Sequence, residues 1–156
     1  MDLSVLTFFI MIAVLVSYVA VIWVKYGIQT SVSESYYVLP YNWKFLFTLF
    51  CWGFSLPLAV SCDTLLMFIA AGGFMFVGAA AAYKEQTSRM VHLVAAFVGI
   101  GLSQASIFVD MHMWYVNIAF VSSALLLVTL KIKNVLWWVE ILAFVSLAYA
   151  LSLKVF

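Results

Sequence analysis

"SVLTFFIMIAVLVSYVAVIWV", residues 4–24, holds no charged side chain. A bilayer's hydrocarbon core is about 30 Å thick, and roughly 20 apolar residues in a helix cross it. Apolar side chains run all round a helical projection of this stretch, so no face is left for water. It reads as a membrane span. Residues 1–3 supply no positive region, and no clear small-x-small cleavage signal follows. The run is therefore expected to stay as a first span and not to be removed as a signal peptide.

Five further apolar runs follow, at 41–60, 64–83, 90–108, 114–130 and 135–155. Together they predict an all-α fold: a polytopic integral membrane bundle of six transmembrane helices, with residues 1–156 as one transmembrane domain. Composition agrees. The chain is 68% hydrophobic and 8% charged, whereas a soluble domain carries about a quarter charged residues. A net charge of +1 offers no basic face for nucleic acid. Cys51 and Cys62 would lie about 16 Å apart on one helix, too far to bridge.

The links predict an orientation. Lys25, Lys44, Lys84, Arg89, Lys131 and Lys133 fall at one end of the bundle, and Lys154 alone at the other. The basic end is expected to face the cytoplasm. That places loops 25–40, 84–89 and 131–134 inside, both termini outside, and the chain in a cell membrane. Trp23, Tyr26, Tyr41, Trp43, Tyr83, Trp137 and Trp138 sit near the basic end, and Trp114 and Tyr115 near the other, where amphipathic rings settle. Trp52 is the exception, near mid-span. Asp63 and Thr64 are expected to cap the third helix, and Thr87 or Ser88 the fourth. Pro57 is expected to kink the second.

Small residues mark one helix pair. "AAGGFMFVGAAAA" at 70–82 carries Gly72, Gly73 and Gly78, and Ala95, Gly99 and Ser103 recur every four residues on the fourth span. Small side chains let helices approach closely in lipid, so the third and fourth spans are expected to pack tightly.

The one long polar stretch is "GIQTSVSESYYVLPYNW", residues 27–43. Ser31-Val32-Ser33-Glu34 fits a capping box. A helix after Ser31 would put Val32, Tyr36 and Leu39 on one face and Ser33, Glu34 and Ser35 toward the other, with Pro40 as its stop. The structural reading is a short amphipathic helix in the cytoplasmic interface. The functional reading has it fold over the bundle mouth and present Glu34, Tyr36 and Tyr37 to a pocket.

Two ionisable residues lie inside predicted spans. Glu140, about 7 Å into the sixth, must be neutral, paired or in contact with water. His92 lies at similar depth on the small-residue face of the fourth. The two are expected to meet, or Glu140 to meet a wet cleft under residues 31–40. Such a pair can relay protons, or simply satisfy two costly polar groups. "DMHMW" at 110–114 has one imidazole only and is not expected to hold a metal. No Ser–His–Asp triad can be assigned, and no cofactor is expected.

The first span followed by "SVSESYY", an aromatic-led second span opening "WKFLF", the Gly-rich "GGFMFVGA" and the fourth-span "VHLVAAFVGIG" give the chain a likeness over about residues 31–101. It resembles the six-helix membrane proteins of the Frag, DRAM and Sfk types and their bacterial relatives. That group tends to carry a Ser in the first loop and a His early in the fourth span followed by small residues; Ser33 and His92 match. Where members often have an Asp after the loop Ser, this chain offers Glu34. The resemblance implies a six-helix fold, with functions in the group that vary and in part concern lipid or GPI-anchor processing.

The reading that fits most features is a non-catalytic binding, regulatory or accessory membrane protein. The alternatives are a lipid- or amphiphile-processing enzyme using His92, Glu140 and Glu34 from the cytoplasmic side, and a small proton-coupled transporter using Glu140. Membrane lipids are the expected partners, with another membrane protein or a second copy also open. A cavity joining Glu140 and His92 would favour an alternative; a filled core would favour the first reading.

Overall fold

The structure, a computed structural model, describes residues 2–61 and 63–156. The described residues contain helices and no strand. In chain order they are α1 (Leu3–Tyr26), α2 (Ser35–Val38), a 3-10 turn (Tyr41–Trp43), α3 (Phe45–Ser61), α4 (Leu65–Ala79), α5 (Gln86–Val109), α6 (Trp114–Thr129) and α7 (Val135–Val155).

Four helical stretches are long and apolar enough to cross a membrane: Leu3–Tyr26, Tyr41–Ser61, Gln86–Val109 and Val135–Val155. The helices α4 and α6, of 15 and 16 residues, extend only about 22–24 Å. Sequence alone predicted the third run to continue to residue 83. It stops at Ala79 because Ala80 leaves the helical conformation (φ −101°, ψ 39°) and turns its carbonyl to the His92 ring. The fourth helix begins at Gln86, earlier than residue 90, so Thr87 and Ser88 lie inside its first turn and cap nothing. Thr64 does cap α4, its hydroxyl accepting from the Met67 N–H at 3.3 Å. Asp63 instead pairs with Lys154, whose ammonium holds the Asp63 carboxyl below its ordinary range.

Helices run up and down, each packed mainly on its chain neighbours, while α1 also meets α7 and α5 meets both α6 and α7. The Phe156 ring meets Phe8 at one end, and Trp23 meets Trp138 at the other. The six basic residues named above therefore lie at the end where α1 stops, and the Asp63–Lys154 pair lies at the opposite end. Four phenylalanines knit the middle: Phe54 lies 5.1 Å from Phe144 and 5.6 Å from Phe74, ring to ring, and Phe50 packs beside Phe54. Trp52 satisfies its indole by donating to the Met75 carbonyl at 3.1 Å. Trp137, expected at the interface, has its ring in the core, 1% exposed.

The α4–α5 seam is as close as the small residues suggested. A Cβ added to Gly73 would sit 2.6 Å from the Gly99 backbone nitrogen and 2.9 Å from the Ala95 carbonyl. A Cβ at Gly99 would strike the Phe74 ring at 2.8 Å. Ser103 is buried further along the same face. Two glycines play other parts. Gly78 packs against Cys51 of α3, and Gly72 faces open space. Cys51 is buried and free; Cys62 lies outside the described residues.

Candidate functional site

Gly27 ends α1 with φ +76°, a conformation side chains resist, and so turns the chain back over the bundle. The Gln29 amide ties off the turn by donating to the carbonyls of Tyr26 (2.8 Å) and Gly27 (3.1 Å). The chain then dips inward. Ser31, Val32, Ser33 and Ser35 are all buried, with Ser35 0% exposed. This corrects the projected amphipathic helix. Residues 31–34 form turns and α2 starts only at Ser35, so the helical phase assumed from Ser31 put Ser33 and Ser35 on the wrong side. The segment is a plug set into the basic end of the bundle.

Side chains from α1, α5 and α7 hold it. The Val32 N–H donates to the Glu140 carboxylate at 2.5 Å. The Ser33 hydroxyl meets the His92 Nε2 at 3.0 Å, while His92 Nδ1 meets the Ala80 carbonyl at 3.0 Å. A carbonyl can only accept, so in the neutral ring Nδ1 carries the proton and Nε2 accepts from Ser33. The Ser35 hydroxyl lies 2.6 Å from the Tyr18 hydroxyl and 2.6 Å from the Val32 carbonyl. The Asn134 amide donates to the Ile28 carbonyl, and the Trp137 N–H to that of Thr30.

His92 and Glu140 therefore do not pair directly as expected. The 31–33 turn passes between α5 and α7, and each costly polar group finds a partner on that turn instead of on the other. Glu34 departs from its expected role as well. The Ser31 hydroxyl accepts from the Glu34 N–H at 3.1 Å, half of a capping box. The Glu34 carboxylate does not reach back. It binds the Tyr83 hydroxyl and the Lys84 ammonium outside the bundle. Its burial would raise its pKa, but those two hydrogen bonds and the Lys84 charge outweigh that and hold it below its ordinary range. Tyr37 accepts from the Lys84 N–H at 2.6 Å, and Tyr36 packs edge-on to Phe47.

Below the plug lies a cavity of about 30 Å³, room for one or two waters. Val32, Ser33 and Glu140 form its polar side; Phe47, Phe50, Phe54, Phe74 and Phe144 form much of the rest. His92 does not line it, nor do Glu34, Tyr36 or Tyr37. Chemically, a neutral imidazole oriented by a carbonyl and accepting from a serine is the start of a nucleophile–base pair. Here both members are buried, both ring nitrogens are occupied, and the contact ties the 31–33 turn to α5.

A second polar cluster escaped the sequence reading. Gln104 of α5 donates to Ser146 of α7 at 2.9 Å, and Asn117 of α6 donates to the Gln104 carbonyl at 2.9 Å. It is the polar tie that joins α6, otherwise held by few buried side chains, to the bundle. Two amides inside apolar runs were its available signal. Compared with known protein families, curated proteins and solved structures, the chain shows no match.

Proposed function

We propose that the chain is a six-span, non-catalytic membrane protein of the binding, regulatory or accessory kind, with its basic, plugged end in the cytoplasm and both termini outside. The carrying observation is the use made of its intramembrane polar groups. Glu140 and His92 are both spent on the backbone and hydroxyl of the 31–33 turn. The cavity beside them is small and does not join them. The two shorter helices count as spans on this reading because the apolar runs and the alternation of basic links include them. Kinship with the Frag, DRAM and Sfk types is part of the proposal. Ser33 and His92, the two positions that carry the likeness, touch each other.

Two experiments test this. A serine-directed fluorophosphonate probe is expected to leave the purified protein unlabelled. Labelling at Ser33 that disappears in His92→Ala would establish an activated nucleophile and defeat the non-catalytic reading. A reporter enzyme active only outside the cytoplasm, fused after Phe156, is expected to be active; cytoplasmic activity of the fusion would reverse the orientation.

The transporter reading keeps one observation in its favour, that Glu140 lines the cavity. It requires the plug to leave its seat during turnover.

A further inference from the structure

We propose that Lys44 and Lys84 form a clamp for the phosphate group of an anionic membrane lipid at the outer edge of the plug. The proposal rests on the membrane reading above, and on this end lying at headgroup depth, whichever side it faces.

The geometry is built around Tyr37. The Lys84 ammonium lies 4.3 Å from the centre of that ring, and the Lys44 ammonium lies 5.7 Å from it and 4.8 Å from the Tyr36 ring. The two cations thus share one aromatic side chain and are no farther apart than those two distances to Tyr37 laid end to end. Tyr37 is itself fixed, because its hydroxyl accepts from the Lys84 N–H. Aromatic faces attract ammonium groups without consuming their N–H donors on oxygen. Lys84 gives one donor to Glu34. Among the described residues no carboxylate pairs with Lys44.

Charge points the same way. Around Tyr37 the ammoniums of Lys44 and Lys84 meet one carboxylate, that of Glu34, which leaves an excess of positive charge. Lysine ammoniums on flexible stems suit a phosphate as point charges, with donors left to give. Depth fits a lipid and not a soluble anion. Tyr41 and Trp43, which precede Lys44, are 87% and 56% exposed, and such rings collect at the headgroup level. The clamp would hold α2, and through it the plug, to the membrane surface.

Native mass spectrometry of the full chain, released from micelles containing equal phosphatidylglycerol and phosphatidylcholine, tests this. The wild type is expected to retain phosphatidylglycerol in preference. Lys44→Gln with Lys84→Gln is expected to lower that preference by about tenfold or more. Lys131→Gln with Lys133→Gln, an equal charge change at the same end, is expected to keep it, as is Lys44→Arg with Lys84→Arg. If the double glutamine variant does not fold, Lys44→Gln alone breaks no ion pair and is expected to lose about fivefold. No preference in the wild type, or an equal loss in the Lys131/Lys133 pair, overturns the clamp. Millimolar inorganic phosphate is expected not to displace the lipid; displacement would make the site one for free phosphate and overturn the lipid assignment. Failure of the membrane reading itself would show separately, as a chain that stays monodisperse without detergent.

Discussion

Gly73→Ala will destabilise the protein by about 1–3 kcal/mol, whereas Gly72→Ala, one residue away, will leave it as stable or stabilise it by up to about 1 kcal/mol. The two glycines are alike in sequence and opposite in surroundings. A methyl at Gly73 would fall 2.6 Å from the Gly99 nitrogen and 2.9 Å from both the Gly99 Cα and the Ala95 carbonyl. All three are backbone atoms, so no side-chain rotation relieves the clash and α4 must move off α5. A methyl at Gly72 meets nothing within 4 Å. Because lipid supplies no hydrophobic drive between helices, close packing of this kind is a main source of association. Thermal unfolding in detergent measures both variants. Equal melting temperatures would mean the α4–α5 seam is looser than described.

Glu140→Leu will cost about 1–3 kcal/mol, and Glu140→Gln less. The leucine variant leaves the buried Val32 N–H without an acceptor, and an unsatisfied buried donor costs about that much. Glutamine still offers a carbonyl oxygen in the same place. Leucine also adds apolar volume beside a cavity of about 30 Å³, which offsets part of the loss, so the comparison with glutamine isolates the hydrogen bond. If leucine proves as stable as glutamine, the Glu140 contact with the plug carries no weight.

What the sequence made legible is what composition and period govern. The apolar runs located all six long helices, and the last was placed to the residue, Val135–Val155. The inward face of α5 was readable in large part: of His92, Ala96, Gly99, Ser103 and Ser106, which share a face at 100° per residue, all but the half-buried Ala96 are buried. What stayed hidden depends on contacts far apart in the chain. Nothing local marks Ala79 as the end of α4; the ring of His92, on the next helix, draws the Ala80 carbonyl away. Backbone donors leave no trace in a sequence, so the Val32 partner of Glu140 could not be foreseen; of the two expectations for Glu140, a pair with His92 and a cleft under residues 31–40, the first fails, while Glu140 does line a small cavity under the 31–33 turn. The polar plug was misread for a different reason. Helical phase was counted from Ser31, but regular helix begins at Ser35. An error of that size exchanges the faces and turns buried serines into solvent-facing ones. The same sensitivity separates Gly72 from Gly73.

Residues 31–35 form a seated plug held from below by Glu140 and His92. Hydrogen–deuterium exchange of the wild-type protein, resolved to the amides of Val32 and its neighbours, tests it most directly. A plug held in this way predicts that the Val32 amide exchanges as slowly as amides of the α2 turn, and far more slowly than the exposed amide of the α5–α6 link at His112, which makes no backbone hydrogen bond among the described residues. Exchange at Val32 as fast as at His112, with α5 and α7 still protected, would contradict it.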